Sequence, residues 1–331
     1  MLTLERVSKT YKVGLFGGTD LPAVRDVSFS LQPGEVISLI GESGSGKSTI
    51  GKMILRLLSV NGGTITDDGT DIATLRGAAL RSYYQTVQGV FQDPFSSFNP
   101  IFKADHVFGL IRGVYFGSAS ATAWQSQLED ALKAVSLDPA QVLHKYPHQL
   151  SGGQLQRLLI ARALLLDTRY LVADEIISML DASTRIDVLN LLGDLKARGL
   201  GILFITHDLS LGNYISERTV ILRRGRIVEM GATGAVFGRP IHPYTRMLIA
   251  AVPRLHEKWG QIDAGVRAGS GWAPAPTEPC RYHAALPNGA ATGALAGLAG
   301  SGLVELEDGH FAGCVAPNAD GTCGGRPSSS A

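Results

Sequence analysis

The chain has 331 residues, 45% of them hydrophobic, enough for one large domain or two ordinary ones around a packed core. Lys plus Arg number 30 against 29 acidic residues, a net charge of +1, so no broad cationic field exists and nucleic acid is not expected as a partner. The cysteines are Cys280, Cys314 and Cys323, which argues against a disulfide scaffold and fits a reducing compartment. Met1 to Lys12 alternates charged and apolar residues, unlike a signal peptide, and no apolar run approaches the roughly 18 residues of a membrane span, so a membrane role would be that of a peripheral subunit.

Leu2 to Tyr11 reads as a strand, with Leu2, Leu4 and Val7 apolar, and Ala23 to Leu31 as a second. Gln32-Pro33-Gly34-Glu35 turns into the apolar strand Val36-Ile37-Ser38-Leu39-Ile40. Then comes Gly41-Glu42-Ser43-Gly44-Ser45-Gly46-Lys47-Ser48-Thr49, followed by a helical pattern from Ile50 to Leu58. G-x-x-x-x-G-K-S between strand and helix is a phosphate-binding P-loop. Gly41, Gly44 and Gly46 let main-chain N–H groups point inward where a Cβ would block a phosphate. Lys47 reaches the β- and γ-phosphates, Ser48 offers a hydroxyl to Mg²⁺, and the helix starting near Thr49 aims the positive end of its dipole at the anion. The expected ligand is a nucleoside triphosphate; the alternative, a glycine-rich turn that happens to precede Lys-Ser, fits the strand and helix context poorly. Tyr11 is a candidate to stack on an adenine ring, and equally an ordinary half-buried aromatic of an edge strand.

Gly62 to Ile65 begins a hairpin, Thr86 to Gln92 is a short strand, and Gln92 sits at its end. Asp93 to Pro100 breaks regular structure, after which the pattern is helical as far as Leu150, most clearly where Leu128, Ala131, Leu132 and Val135 share a face. Leu150-Ser151-Gly152-Gly153-Gln154 opens a helix reaching about Leu166; Ser151 and the two glycines offer a second anion site, or a plain capping turn. Tyr170 to Glu175 is a buried strand ending in two carboxylates, Asp174 as the Mg²⁺ partner and Glu175 as a base on water, the other reading being a cap for the next helix. Asp181 begins a helix carrying Ile186, Leu189 and Leu192; Gly201 to Thr206 is a strand ended by His207-Asp208; Thr219 to Ile227 closes with a hairpin, and Pro243 to Val252 is a helix. Alternating strands and helices imply a largely parallel sheet with ligands at the carboxyl ends of its strands, which Gly46, Glu175 and His207 all follow. A lone histidine is more often structural than functional, but His207 shares that edge. From about Arg254 Gly, Ala and Pro crowd the chain, Gly being 40 of 331 residues overall, and this tail is expected to be loose or marginally folded.

In this order the P-loop, Gln92, L-S-G-G-Q at Leu150–Gln154, Asp174-Glu175, Ser178-Met179-Leu180-Asp181 and His207 closely resemble the nucleotide-binding subunit of ATP-binding-cassette (ABC) transporters. The resemblance implies an α/β P-loop NTPase (RecA-like) core with an antiparallel β subdomain, a helical subdomain inserted at about 93–155 within a cassette at 1–253, and a degenerate C-terminal extension at 254–331. It implies an ATPase in which Tyr11 stacks on adenine, Gln92 senses Mg²⁺ and the membrane partner, Glu175 is the catalytic base, and His207 is the γ-phosphate switch. It also implies that Lys47 assists catalysis, that Gly41 to Thr49, including Ser43 and Ser45, hold ATP with Ser151, Gly152, Gly153, Gln154 and Asp181, and that Ser48, Gln92 and Asp174 hold Mg²⁺. Phe91 to Pro100 and His242-Pro243-Tyr244-Thr245 resemble the oligopeptide/dipeptide importer ATPases, so the implied partners are a second and different ATPase chain, two transmembrane permease subunits and an extracytoplasmic solute-binding protein, with this subunit on the cytoplasmic face of the membrane. An oligosaccharide importer is the second choice; a soluble ABC ATPase or a catalytically silent subunit are further alternatives, against which stand the lack of sustained heptads between Lys47 and Ser151 and the intact Glu175 and His207. The chain departs from the family at Ile176-Ile177, where Pro-Thr is usual, which could relax the turn beyond the base. It departs again at Leu286, where the iron–sulfur set of the group would need a cysteine, so no iron–sulfur cluster is expected.

Overall fold

Buried alternation, local turns and glycine positions place the elements in this computed structural model, which describes residues 1–13, 18–252, 303–307 and 309–313. In chain order the first elements are β1 (Leu2–Val13), β2 (Thr19–Leu31), β3 (Val36–Ile40), α1 (Lys47–Ile54), β4 (Gly62–Asp67), β5 (Thr70–Asp71), α2 (Gly77–Thr86), β6 (Val87–Val90), α3 (His106–Tyr115), α4 (Ala121–Ala134) and α5 (Pro139–Val142). There follow α6 (Gly152–Leu164), β7 (Tyr170–Asp174), α7 (Ala182–Ala197), β8 (Gly201–Thr206), α8 (Leu209–Ile215), β9 (Arg218–Arg223), β10 (Arg226–Ala232), α9 (Thr233–Gly238), α10 (Pro243–Ala250), β11 (Leu303–Glu307) and β12 (His310–Gly313). The chain divides into two compact units, one made of Met1–Ser30, Ile37–Ala73 and the chain from Thr206 onward, the other of Leu31–Val36 and Thr74–Ile205.

The first unit holds an antiparallel sheet of order β2-β1-β4-β5, the expected antiparallel β subdomain. In β1 the buried positions run Leu2, Leu4 and then Val7, a phase shift of one. A bulge explains it: between Glu5 and Ser8 the register against β4 slips, and Arg6 takes the left-handed φ of +51° that lets the extra residue turn out. The unit also carries strands in the order β11-β12-β10-β9-β3. All five residues of β3 are buried, as expected of a parallel strand covered on both faces, and β3 runs parallel to β9 with Ile37 opposite Arg218. Ile40, Leu209, Ile221, Val236 and Tyr244 form one core cluster, so α8, α9 and α10 all pack on the strand that delivers the P-loop.

In the second unit β6, β7 and β8 are parallel neighbours, Val87 facing Tyr170 and Tyr170 facing Gly201. Helices α3 to α6 supply the inserted helical region, and α4 buries Trp124, Leu128, Ala131 and Leu132 while packing on α6.

Several boundaries depart from the sequence reading. Helix α1 begins at Lys47 and ends at Ile54, because Leu55, Arg56, Leu57 and Leu58 bond back to Gly51, Met53 and Lys52 in closing turns. Helix α2 was not legible: it buries only Tyr83, so no apolar stripe marks it, and it takes Thr86 from the expected strand. On α7 Ile186 is exposed, and Val188, Leu189, Leu191, Leu192 and Leu195 form the buried face instead. The expectation of a loose tail fails at β11 and β12, where Phe311 and Ala312 are buried and β12 pairs with β10, Met230 opposite Phe311. The three cysteines, and with them the iron–sulfur reading, lie outside the described residues; among the described residues no group of three or more His, Cys, Asp or Glu could hold a metal ion.

Candidate functional site

The P-loop leaves β3 and enters α1 through a backbone that only glycine satisfies at two points. A Cβ on Gly41 would stand 2.1 Å from the Leu222 carbonyl oxygen, and one on Gly46, whose φ is +105°, would stand 2.4 Å from that of Ala23. Ser45 N–H donates to Glu42 O (3.1 Å) to close the loop, and the tip of the β9–β10 hairpin braces it, Gly225 N–H donating to Ser45 O (2.9 Å) while Gly225 O accepts from Arg25 N–H (2.8 Å). Lys47 is buried, and its ammonium donates to Gly41 O (2.7 Å) and Glu42 O (2.9 Å), which holds the charge inside the loop. Ser43 and Gly44 are exposed at the loop's crest, and the Ser45 hydroxyl is buried with no hydrogen-bond partner among the described residues. Ser48 and Thr49 are half-buried in the first turn of α1, at the positive end of the helix dipole. Tyr11 is half-buried beside them, its hydroxyl 3.4 Å from Thr49 Oγ1 and the Lys9 ammonium 5.8 Å from its ring centroid. The structure therefore brings Tyr11 to the helix that the P-loop opens. His207 is exposed directly after β8, and Asp208 behind it caps α8 through Ser210 and Leu211 N–H.

The same unit shows a link that the sequence did not. Tyr244 is fully buried, and its hydroxyl accepts from Glu42 N–H in the P-loop (3.3 Å). Burial pushes the Tyr244 phenol up from its ordinary pKa, and the Arg223 guanidinium, itself lowered by burial, lies 4.8 Å from the ring centroid. Tyr244 is set in place by Glu229, a fully buried carboxylate that accepts from Ile241 N–H (2.8 Å), His242 N–H (2.9 Å) and the His310 imidazole of β12 (2.8 Å). His242 Nδ1 in turn caps α10 by accepting from Tyr244 N–H (3.0 Å). His242-Pro243-Tyr244-Thr245 stood out in the sequence, but its contact with Glu42 spans 202 residues and leaves no local signal.

In the second unit Ser151 is the N-cap of α6. Its hydroxyl accepts from Gln154 N–H (3.2 Å) and the Gln154 side chain accepts from Ser151 N–H (2.9 Å), a reciprocal capping box. The plain capping turn weighed above is therefore present, and it leaves Gly152 and Gly153 N–H at the open end of a 13-residue helix. Gly153 also lets α7 approach, since a Cβ there would meet Thr184 Cγ2 at 2.7 Å. Gln92 is exposed two residues beyond β6, entering a segment ordered by Asp93, whose carboxylate accepts from Phe95 N–H (2.9 Å). The α6 residue Arg162 reaches that strand, donating to Gly89 O (2.6 Å), and burial lowers its pKa. Nothing in the local pattern marked Arg162.

Asp174 ends β7 almost fully buried, and Glu175 follows with φ +51°, a strained conformation for a non-glycine residue of the kind found at functional sites. The surrounding bonds hold it: Glu175 N–H donates to Ile205 O (2.9 Å), while Ser178 N–H and Oγ both donate to Glu175 O (3.1 and 2.9 Å). Ile176 and Ile177 are buried, so the turn beyond Glu175 is packed and hydrogen-bonded without the usual proline. The helix cap weighed for Asp174-Glu175 belongs to Asp181 instead. Asp181 accepts from the Ser183 hydroxyl (2.6 Å) and from the Thr184 N–H and hydroxyl (3.0 and 2.8 Å), bonds that hold its carboxyl well below the usual range.

A strand-loop-helix that anchors a lysine ammonium, and an α/β fold in which L-S-G-G-Q spells the N-terminus of α6, define a P-loop ATPase cassette. Residues 24–178 match the ABC transporter family, and residues 228–285 match the oligopeptide/dipeptide transporter C-terminal region. A probable peptide ABC transporter ATP-binding protein, y4tS of Sinorhizobium fredii, is 39% identical over 297 residues, 87% of this chain and 82% of the relative. The oligopeptide transport ATP-binding protein OppF of Streptococcus mutans is 38% identical, covering 80% of this chain and 88% of its own length. Among solved structures, MJ0796, a bacterial ABC transporter cassette in dimeric form, shares 29% identity at a TM-score of 0.63 over 70% of this chain and 99% of its own. The chain belongs to the ABC transporter family of ATP-binding proteins, and its activity is ATP hydrolysis.

Proposed function

We propose that this chain is the ATPase of a peptide importer, with Lys47 holding the transferring phosphoryl, Glu175 taking a proton from the attacking water and His207 facing the departing γ-phosphate. What supports peptide as cargo is the match at 228–285 together with relatives named for peptide import. Tyr11 stacks on the adenine, and Gly41 to Thr49 wrap the phosphates. The Ser48 hydroxyl, Gln92 amide and Asp174 carboxylate are hard oxygen donors of the kind Mg²⁺ takes, and the ion when bound neutralises charge on the phosphates. In such a site positioning and electrostatics supply most of the rate, which is why a lysine fixed by two carbonyls and a base fixed by three hydrogen bonds matter more than any covalent step.

Two cassettes are required in this reading. Ser151, Gly152, Gly153 and Gln154 at the α6 N-terminus, with Asp181, face the nucleotide of a second ATPase subunit, so ATP holds the pair together and its hydrolysis releases them. The Gln92 segment carries that movement to a permease subunit. The exposed Phe95, Ile101, Phe102, Leu110 and Val114 offer an apolar surface for a cytoplasmic helix of that partner. No helix among the described residues is long and apolar enough to cross a membrane, which fits a peripheral subunit at the cytoplasmic face, fed from the other side by a solute-binding protein.

The test is ATP turnover by the assembled transporter in lipid. Peptide with its binding protein should stimulate hydrolysis, Glu175→Gln should keep ATP binding and lose most turnover, and Lys47→Ala should lose tight ATP binding. Turnover at the wild-type rate in Glu175→Gln removes Glu175 from the base role, and stimulation by another solute class alone removes peptide.

A further inference from the structure

The first peptide plane of this P-loop is bonded by a residue far along the chain. The peptide joining Gly41 to Glu42 has two polar ends. Its carbonyl, Gly41 O, accepts from the Lys47 ammonium at 2.7 Å, and its N–H, on Glu42, donates to the Tyr244 hydroxyl at 3.3 Å. The next carbonyl, Glu42 O, accepts from Lys47 again and from Ser45 N–H. Rotating the Gly41–Glu42 plane would therefore break the Tyr244 bond and displace the lysine's shortest anchor together.

Tyr244 is built to resist that rotation. Its ring has no solvent exposure and sits in the cluster of Ile40, Leu209, Ile221 and Val236, with Ile40 the residue immediately before the loop. Arg223 lies over the ring face, and α10 is tied by its cap to Glu229. A rigid, fully buried aromatic whose one polar tip meets the loop fixes its hydroxyl in place at little entropic cost.

We infer that the Tyr244 hydroxyl is a positioning group for the nucleotide site, fixing the Gly41–Glu42 peptide and through it the Lys47 ammonium. The inference rests on the reading of Gly41–Thr49 as the nucleotide loop, and it makes the oligopeptide-type C-terminal region, which contains Tyr244, a working part of the ATP site. Loss of the hydroxyl frees the peptide plane without opening the core.

The experiment is titration of the full-length chain with a fluorescent ATP analogue and Mg²⁺, for wild type, Tyr244→Phe and Tyr244→Leu, beside thermal melting of each. One neutral hydrogen bond lost predicts affinity weaker by about threefold to tenfold in both variants. Melting should fall slightly in Tyr244→Phe, through the one hydrogen bond lost, and much further in Tyr244→Leu, because only leucine removes the ring. In steady-state turnover the KM for ATP should rise by the same factor and kcat should fall with it, because the displaced Lys47 ammonium also holds the transferring phosphoryl. Wild-type affinity in Tyr244→Phe, or weakened binding in Tyr244→Leu alone, would overturn the role of the hydroxyl while leaving the P-loop reading intact. A wild-type chain that binds no nucleotide would overturn that reading, and the inference with it.

Discussion

Replacing Glu229 by alanine should be among the most damaging changes outside the nucleotide loop. The carboxylate has no solvent exposure and accepts three hydrogen bonds, from Ile241 N–H, His242 N–H and His310, at 2.8, 2.9 and 2.8 Å. A hydrogen bond to a charged acceptor contributes about 1.5–3 kcal/mol, and a buried donor left without a partner costs about 1–3 kcal/mol. Relief of the carboxylate's own desolvation offsets part of the total, so the expected loss is about 3–5 kcal/mol, the size found when one member of a buried polar pair is removed. Glu229→Gln keeps the shape but turns an NH₂ toward N–H donors, and should lose about 2 kcal/mol through one bond broken and one donor orphaned. His310→Ala leaves both main-chain bonds in place and should lose less than Glu229→Ala. Urea unfolding of the full chain followed by circular dichroism measures the order; with slopes of about 1–3 kcal/mol/M the alanine midpoint should fall by about 1 M or more. A Glu229→Ala midpoint within experimental scatter of wild type would mean that these three donors do not depend on the carboxylate, and the account of how α10 is held would be refuted.

Gly46→Ala should cost about 1–3 kcal/mol in backbone strain alone, since φ is +105° and the new methyl would meet the Ala23 carbonyl at 2.4 Å, and nucleotide affinity should collapse; retained affinity in the titration would show that β2 yields freely. Asp181→Ala should destabilise the chain by uncapping α7, with a set pH dependence. The folded carboxyl is held below its unfolded pKa, so its contribution is complete above about pH 3.9 and shrinks as pH falls below that toward the depressed value. Melting of wild type and variant from neutral pH to about pH 3 checks it, and a gap that widens on acidification contradicts the capping geometry.

The sequence exposed what repeats at short range. The P-loop, the helix start at Ser151 and the buried strands β3, β7 and β8 were legible because their determinants lie within a few residues of one another, whereas the reciprocal Gln154 bond of the capping box needed coordinates. Asp181 was placed at a helix start, although its chemistry as a cap and the exposure of Ile186 needed coordinates. Arg162 reaching Gly89, Tyr244 reaching Glu42 and Glu229 reaching His310 are pairings across 73, 202 and 81 residues, and no periodicity encodes them. The left-handed Glu175 is a further case: two isoleucines in place of Pro-Thr suggested a slack turn, whereas burial of both side chains and the Ser178 bonds give a taut one. Composition misled once, since a glycine-rich average concealed the short run His310-Phe311-Ala312 that docks on β10.

That docking bears on how the chain can be shortened. A version ending at Val252, as the Gly-rich composition invites, would strip β12 from β10 and leave a ladder of unpaired amides and carbonyls along the Glu229–Met230 stretch, beside a carboxylate deprived of its imidazole. Bare strand borders of this kind recruit other chains. Trimming for solubility would therefore promote self-association, beginning beside the helix whose tyrosine touches the phosphate loop.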